Sequence, residues 1–357
     1  MNLPDLLQLS SYHWHTATLH AAVKLDVFTH LAASPRTSDQ LSEAIGADPR
    51  GMEMVLNALV ALELLTKAGD IFLCTDCSKT WLSQDSDSYM GHIIMHHYNL
   101  VTGWHRLDEA VMTGAPVRSR LSHDAVDQER KHFLMGMYNL ASLIAPKLAV
   151  QINLAGRTRL LDLAGGPGTY AIHFCRENPA MTAVVFDLPT TRPFAEETIK
   201  KYGLADRIQF AEGDITLKEP AGRYDVVWVS HLLHSESPAK SAEIISTAAR
   251  CLNSGGLLLI QEFILDDAKT GPLFPALFSL NMLVGTPAGQ AYAQSELAGI
   301  MAGAGLTAIG RLQLELPNGA GVMAGTVTLP HAAHYPSLRP ECVFCIGRAA
   351  GEAGFSG

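Results

Sequence analysis

The chain has 357 residues, of which 48% are hydrophobic and 17% charged, and its formal net charge is −9. This composition excludes a disordered chain, and the length suffices for two domains with a substantial core. The acidic balance argues against a nucleic-acid partner, because clusters of Lys and Arg bind a phosphate backbone. The first residues resemble no secretion signal, and no apolar run approaches the ~18 residues that span a bilayer. We therefore expect a cytoplasmic protein without a membrane partner.

Residues 1–110 are predicted to form a mainly helical domain. A second helix begins at Ser38, a third follows Pro49, and the segment GDIFLCT is predicted to be a short strand, which together make a winged-helix-like unit. Because the third helix is not basic, we favour dimerisation over reading of DNA. The first helical segment carries an apolar stripe, which consists of Val23, Val27, Phe28 and Leu31. A single chain would leave this stripe partly exposed, so we expect it to be buried against a second chain.

The second domain is predicted for residues 156–329, where apolar strand patterns alternate with helical ones. The strand patterns are LLDLA, TAVVFD, IQFAEGD, YDVVWVS and GLLLIQE. This alternation predicts a parallel sheet with crossover helices. Residues 111–155 are expected to be connecting helices, and residues 330–357 a tail without a clear role.

Two groups of side chains have the chemistry of metal ligands. One consists of two C-x-x-C pairs, and the other of two histidines four positions apart on one predicted helix face. The cysteine pairs lie near opposite ends of the chain, and histidines in an apolar stripe usually line a pocket, so we predict no metal site. The residues concerned are Cys74, Cys77, Cys342, Cys345, His92 and His96.

A glycine-rich turn follows the first strand of the second domain, in the segment DLAGGPGTYA. Gly166 and Gly168 let the backbone approach a ligand, and Asp187 ends the next strand 187 − 166 = 21 positions later. An acid at this place suits ribose hydroxyls. The pattern G-x-G-x-x-A permits NAD, while S-adenosylmethionine has the same ribose without a pyrophosphate. We favour S-adenosylmethionine, because a second glycine fingerprint for a nicotinamide half is not apparent.

Polar side chains also follow the later strands, and ligands bind at the carboxyl ends of parallel strands. Asp214 could accept a hydrogen bond from an adenine amino group while Ile215 packs on the ring; the alternative for Asp214 is a turn residue. His234 follows the fourth strand and Glu262 the fifth, with one crossover helix between them. A neutral imidazole beside a carboxylate is a general base, so the pair predicts proton abstraction.

These motifs resemble the S-adenosylmethionine-dependent small-molecule O-methyltransferases of the caffeic acid and acetylserotonin type, which include bacterial enzymes that tailor polyketides and antibiotics. The resemblance runs from about residue 10 to 328 and rests on DLAGGPGT, FDLP, GDI, LLH, the acid after strand five, and NML at 281–283. It implies an α/β fold: a Rossmann-like class I methyltransferase domain with an N-terminal helical, winged-helix-like dimerisation domain. It also implies a domain-swapped homodimer that methylates a hydroxyl of an apolar, aromatic small molecule.

The resemblance assigns roles to individual residues. His234 is the base position and Glu262 its partner. The acceptor pocket is lined by His96, Met137, Asn281 and Met282. The S-adenosylmethionine site is formed by Asp162, Gly166, Gly168, Asp187, Leu188, Asp214, Ile215 and Ser230.

The chain departs from the family pattern after the base. The family run HDWxDE reads HSESPA here, so Glu236 replaces the Trp that helps to enclose the cofactor, and a third acid falls on Ala291. Within the enzyme class this leaves open a C- or N-methyltransferase, or a decarboxylase or hydroxylase of the same fold. From another class, a cofactor-binding DNA-binding regulator remains the alternative.

Overall fold

The computed structural model describes residues 1–119 and 126–327. The expected tail at 330–357, with Cys342 and Cys345, therefore lies outside the described residues. The N-terminal region contains the helices α1 (Leu3–Lys24), α2 (Val27–Ala33), α3 (Ser38–Ile45), α4 (Pro49–Ala61), α5 (Asp76–Trp81), α6 (Gly91–Trp104) and α7 (Leu107–Thr113). Its strands are β1 (Arg36–Thr37), β2 (Leu65–Ala68) and β3 (Ile71–Cys74), which form an antiparallel sheet in the order β1-β3-β2.

Local sequence signals set the ends of the helices in this region. The side chain of Thr37 accepts a hydrogen bond from Gln40 N at the start of α3, and Gly46 ends that helix in the left-handed conformation at φ 74°. Asp48 caps α4, and Pro49 occupies its first turn. These are the boundaries that the sequence predicted for the second and third helices.

One prediction for this region is wrong. Val23, Val27, Phe28 and Leu31 were expected to be partly exposed in a lone chain, but all four are buried within it. They pack with side chains of α3 and α4 in one hydrophobic cluster, because α1 packs against α4, and α2 packs against β3 and α5. The exposed apolar side chains lie instead near the N-terminal end of α1: Leu3, Leu6, Leu7, Leu9, Tyr12 and Trp14.

Helix α8 (Asp127–Gln151) connects the two halves of the chain. Among the described helices it is the one whose length and apolar composition would allow it to cross a membrane. It packs against α6 on one side and against α9 (Thr169–Glu177) of the second domain on the other. Its apolar residues are thus accounted for by packing between helices.

The second domain is built on a mixed sheet in the order β10-β11-β8-β7-β4-β5-β6. Strands β4 to β8 pair in parallel, whereas β11 pairs antiparallel with both β8 and β10, and β9 pairs with β8. The strands are β4 (Arg159–Leu163), β5 (Thr182–Asp187), β6 (Ile208–Glu212), β7 (Tyr224–Ser230), β8 (Leu252–Leu265), β9 (Tyr292–Ala293), β10 (Leu306–Arg311) and β11 (Ala320–Val327). The further helices are α10 (Arg192–Lys201), α11 (Pro238–Arg250), α12 (Leu273–Gly285) and α13 (Gln294–Gly303).

The strand order places the candidate site. From β4 the chain runs outward to β5 and β6, then returns to the other side of β4 for β7 and β8. Loops that leave β4 and β7 therefore part in opposite directions and open a crevice at the carboxyl ends of these strands. Alternate strand residues pack into separate cores on the two faces, such as Leu160 and Trp228 on one and Leu161 and Val227 on the other.

Candidate active site

The glycine turn after β4 folds tightly around Asp162. Gly166 and Gly168 have φ values of 55° and 77°, which other residues rarely adopt. A Cβ atom on Gly165 would lie 2.5 Å from Cγ of Asp162, and one on Gly168 would lie 3.2 Å from Cγ2 of Val185. Two glycines of the turn thus have left-handed φ and a third has no room for a side chain, and the close approach of this backbone to a ligand remains a prediction.

Asp162 is fully buried beneath this turn. Its Oδ2 accepts a hydrogen bond of 3.1 Å from the backbone N–H of Ala171, and its Oδ1 has no hydrogen-bond partner among the described residues. Burial raises the pKa of Asp162 to about 7, the charge of Asp187 adds to this, and the Ala171 N–H opposes it. A buried oxygen without a donor is costly, so this site favours a ligand that brings a cation or an N–H group.

Asp187 ends β5 and faces the same turn. Its Oδ2 accepts from the backbone N–H of Gly166 at 2.8 Å, and its Oδ1 accepts from the N–H of Leu188 at 2.6 Å and from Thr191 Oγ1 at 3.0 Å. These bonds fix the carboxylate between two loops at the carboxyl ends of β4 and β5. The carboxylate therefore lies where the sequence predicted a contact with ribose, and that contact remains a prediction.

Asp214 lies in the neighbouring turn after β6. Backbone N–H of Gly213 donates to the carbonyl of Asp187 at 2.9 Å, which holds the two turns together. Oδ1 of Asp214 accepts from N and Oγ1 of Thr216 at 2.8 and 2.7 Å, so the side chain has the role of a turn residue that the sequence left open. Ile215 follows it and packs against the core on that face of the sheet. Contact of either with adenine remains a prediction.

Ser230, also predicted to contact the cofactor, is the last residue of β7. Its hydroxyl donates to Oε1 of Gln261 at 3.4 Å on the adjacent strand β8. It therefore lies where β7 opens into the loop that carries the predicted base.

His234 and Glu262 are brought together as predicted. His234 lies in a short 3-10 turn, Leu233–Ser235, just after β7, and its Nδ1 is 2.7 Å from Oε2 of Glu262. Oε1 of the same carboxylate accepts from the backbone N–H groups of Leu233 and His234 at 2.8 and 3.3 Å. Glu262 does not follow a strand, as the sequence suggested, but lies inside β8, at the level where the shorter β7 has ended.

The carboxylate of Glu262 is ionised in this environment. Its side chain is 1% exposed, and burial alone would raise its pKa. The charge and hydrogen bond of His234, together with the nearby imidazole of His231, outweigh burial and hold the pKa of Glu262 below its ordinary value. An ionised carboxylate accepts hydrogen bonds only, so Nδ1 of His234 carries a proton; when the ring is neutral, this tautomer places the free electron pair on Nε2.

His231 is a site residue that the sequence analysis missed. Its Nδ1 is 3.6 Å from Oε2 of Glu262, and its backbone adopts φ 52°, which is unusual for a side chain of this size. The signal was present in the run SHLLH, where two histidines stand three positions apart after a strand. The two imidazoles and the carboxylate could also hold a metal ion. We assign them to proton chemistry, because Glu262 is already bonded to His234 Nδ1 and to two backbone N–H groups.

Three phenylalanines, which the sequence analysis also missed, surround the two histidines. The ring of Phe263 lies 4.4 Å from that of His231, and the ring of Phe278 lies 4.8 Å from that of His234 in a T-shaped arrangement. Phe274 contacts both of the other phenylalanines. Phe263 adjoins Glu262 on β8, and the other two belong to α12, so the fold and not the local sequence assembles this aromatic wall.

The residues predicted to line an acceptor pocket are only partly connected to this wall. Asn281 is buried on α12, three positions after Phe278, and its side chain and carbonyl accept from Arg118 at 3.5 Å. His96 is buried on α6, which packs against α12, and its ring contacts Phe133. Met137 lies on α8 and the buried Met282 on α12, and their place in an acceptor pocket remains a prediction.

The structure shows the contacts made at two positions where the chain departs from the family pattern, Ala291 and Glu236. Ala291, at the position of a third acid, is buried, and its N–H donates to Ser279 at 3.2 Å. The neighbouring Tyr292 donates its hydroxyl to the carbonyl of Glu236 at 3.0 Å, which ties this strand to the loop after the base. A hydrogen-bonded tyrosine thus supports the loop in which Glu236 replaces the expected Trp.

The comparisons with known proteins agree with this architecture. A family model of the O-methyltransferase domain matches residues 110–307, and one of the O-methyltransferase dimerisation domain matches residues 7–84. The 3-hydroxy-5-methyl-1-naphthoate 3-O-methyltransferase of Streptomyces sahachiroi is 32% identical over 328 residues, which are 90% of this chain and 95% of that enzyme.

Solved structures show the same relationship. An O-methyltransferase family protein from Burkholderia thailandensis is 30% identical, with a TM-score of 0.83 over 93% of this chain and 99% of that one. Human N-acetylserotonin methyltransferase, solved with S-adenosylmethionine, has the same fold, with a TM-score of 0.82 at 24% identity over 92% of this chain and 99% of that one. The chain therefore belongs to the S-adenosylmethionine-dependent O-methyltransferase family, with an N-terminal dimerisation domain.

Proposed function

We propose that this enzyme methylates a hydroxyl of an apolar, aromatic small molecule, with His234 as the general base and Glu262 as the residue that orients it. The observation that carries the proposal is the 2.7 Å contact between these residues beside a wall of phenylalanines. The wall favours a flat ring as acceptor, since aromatic pairs gain from edge and offset contacts beyond simple burial.

The residues at the ends of β4 and β5 fit S-adenosylmethionine, which supplies a methyl group already activated on a sulfonium. We assign its cationic methionine part to the neighbourhood of Asp162, whose buried Oδ1 lacks a donor, and its ribose to Asp187. The turn at Gly166 and Gly168 gives the backbone room for close approach.

His234 acts on the acceptor through Nε2. Glu262 holds the proton on Nδ1, so Nε2 is free to take the hydroxyl proton as the oxygen becomes a nucleophile. The charge of Glu262 then stabilises the imidazolium that forms. A positioned base of this kind contributes about 10²–10⁴-fold in rate, and correct placement of the two reactants supplies most of the rest.

The assembly and organisation of the chain are part of the proposal. We infer a homodimer formed through residues 1–110, connecting helices at 111–155 and a methyltransferase domain at 156–329. A dimerisation family model that matches residues 7–84 and the exposed apolar side chains of α1 support the homodimer. Helices α3 and α4 and the hairpin of β2 and β3 support the winged-helix-like description. We place the protein in the cytoplasm, with no nucleic-acid or membrane partner.

The test is transfer of labelled methyl from S-adenosylmethionine to a panel of hydroxyarenes, with matched arenes that carry an amino group or no heteroatom. Transfer to oxygen that is lost in His234→Ala but kept in the surface variant Arg250→Gln would support the proposal. Transfer to nitrogen or carbon alone, or oxygen methylation that persists unchanged in His234→Ala, would contradict it.

A further inference from the structure

Arg118 is a cation held against α12, the helix that carries Phe274 and Phe278, without an acidic partner among residues 1–119 and 126–327. Its Nη2 lies 3.5 Å from both the carbonyl and the side-chain oxygen of Asn281, and Nη1 lies 3.3 Å from the carbonyl of Ser119. Its Nε is buried and has no hydrogen-bond partner in the part of the chain that the structure describes. These contacts are long for a guanidinium, whose five N–H groups normally find short, charge-assisted bonds.

Two glycines make room for this side chain. A Cβ atom on Gly103 of α6 would lie 2.8 Å from Cδ of Arg118, and one on Gly285 of α12 would lie 2.3 Å from Nη2. The backbone N–H groups of Val117 and Arg118 donate to the carbonyl of Val284 at 3.0 and 3.2 Å, which fixes the segment against the end of α12. The guanidinium is therefore seated between two helices in space that other residues would fill.

The guanidinium lies beside the helix that carries part of the aromatic wall. Asn281, which it contacts, lies one helical turn after Phe278 on α12, and the ring of Phe278 packs against His234. On the other side, His96 is close enough for the charge of Arg118 to help burial and His97 lower the pKa of His96 to about 3. Arg118 thus lies about one turn of helix from the aromatic wall that we assign to the acceptor.

A cation in this position needs an anion. Burial lowers the pKa of Arg118, yet an arginine stays protonated in proteins, so the charge persists. A partly buried charge without a counterion is unfavourable, and a guanidinium fork matches a carboxylate with two parallel bonds. The ligand that completes this site is a planar carboxylate.

We propose that Arg118 binds a carboxylate on the ring of the methyl acceptor, so that the substrate class is hydroxyaryl carboxylic acids. The inference rests on the proposed function, because it names the acceptor of that site. Nε and Nη2, which lack short partners, receive the carboxylate, while the hydroxyl of the same molecule faces Nε2 of His234. Arg118 is then a residue that determines substrate specificity, and it takes no part in proton transfer.

The experiment compares acids with their carboxamides, which have almost the same shape but no charge. The probes are meta-hydroxybenzoate and a hydroxynaphthoic acid, each beside its carboxamide. Binding is measured by calorimetry on the full-length protein saturated with S-adenosylhomocysteine, and methyl transfer is measured separately. The wild type should bind at least one of the acids roughly 10- to 100-fold more tightly than its amide, the size expected for charge-assisted bonds in a partly buried site.

The variants are Arg118→Gln and Arg118→Lys, with Arg250→Gln as the control for loss of a surface arginine. Arg118→Gln should bring the acid-to-amide ratio close to one, Arg118→Lys should keep part of it, and Arg250→Gln should keep all of it. In Arg118→Gln the loss of affinity should appear mainly as a higher KM for the acid, because the bond between the guanidinium and the carboxylate is made in both the ground state and the transition state. The temperature of thermal unfolding controls for a packing defect.

Equal affinity of the wild type for acids and amides, or binding of neither, would overturn the proposal, as would an acid preference that survives in Arg118→Gln. Failure of the proposed function would give a different experimental result. In that case the acids bind in an Arg118-dependent way, but no methyl group reaches their oxygen.

Discussion

Nδ1 of His234 lies 2.7 Å from Oε2 of Glu262, while Oε1 of the same carboxylate holds the backbone N–H of Leu233 at 2.8 Å. One buried side chain thus fixes both the ring of the base and the turn that carries it. This double attachment is possible because β8 continues for several residues beyond the level at which β7 ends. The predictions about catalysis below follow from it.

His234→Ala should slow methyl transfer by about 10²–10⁴-fold, since a positioned general base is lost. Affinity for S-adenosylmethionine should stay within a fewfold, because the glycine turn and Asp187 belong to other loops. Single-turnover rates and calorimetry would measure the two effects separately. Parental turnover in this variant would show that the acceptor loses its proton without His234.

Glu262→Gln should be nearly as damaging as removal of the histidine. The amide oxygen can replace Oε1 in its bond to the Leu233 N–H, and the amide nitrogen then faces Nδ1 of His234 as a donor. The ring would have to move its proton to Nε2, where the base needs a free electron pair. A steady-state loss of at least about 10²-fold is expected, with folding checked by circular dichroism. A loss of only a fewfold would mean that Glu262 does not set the tautomer.

The sequence located the parts of the site that depend on single strands. Asp162, Asp187 and His234 all lie at or just beyond strand ends, where hydrophobic patterning and glycine spacing are informative. The contact of Phe278 with His234 could not be predicted in this way. It depends on how α12 packs against the loops of a strand that lies about 50 residues earlier, and helical periodicity does not specify that packing.

The prediction of the fold divides in the same way between local signals and tertiary packing. Caps such as Thr37 and Asp48 gave the helix starts, because a cap acts on N–H groups within three residues. The burial of Phe28 was not predicted, since it depends on which helices cover α2. Local signals therefore predicted the elements, and tertiary packing decided which of their faces are exposed.

Asp187→Ala should weaken binding of S-adenosylmethionine by roughly 1.5–3 kcal/mol, because a charge-assisted bond to a ribose hydroxyl is removed. Asp187→Asn should lose less, since its amide oxygen can still accept from the Gly166 N–H and keep the turn in place. Calorimetry with both variants, and with NAD as a competing ligand, would check this. Tight NAD binding by the wild type, or parental affinity in Asp187→Ala, would contradict the assignment.

Asp162 should make the cofactor-free protein less stable as the pH rises toward neutrality. Its pKa rises on folding from an ordinary 3.8 to about 7, so the native state keeps a proton that the unfolded state has lost. The associated stability is complete below about pH 4 and is lost as the pH passes through about 7, by roughly 2–4 kcal/mol.

Asp162→Asn should remove this dependence, because an amide can accept from Ala171 N–H but does not titrate. Urea unfolding of both proteins across this pH range would give the difference. Parallel pH profiles for the two proteins would show that Asp162 does not hold its proton in the native state.

The apolar side chains near the start of α1 should be buried in a dimer. Leu6, Leu7 and Trp14 are 52%, 60% and 67% exposed, and a run of this size is rarely left in water. The double variant Leu7→Glu/Trp14→Glu should therefore shift the protein from dimer to monomer in sedimentation experiments at micromolar concentration. Leu217→Glu, which changes a residue that is 86% exposed on the second domain, is the matched control and should remain dimeric. A wild-type protein that sediments as a monomer, or a double variant that still dimerises, would place the dimer interface elsewhere or remove it altogether.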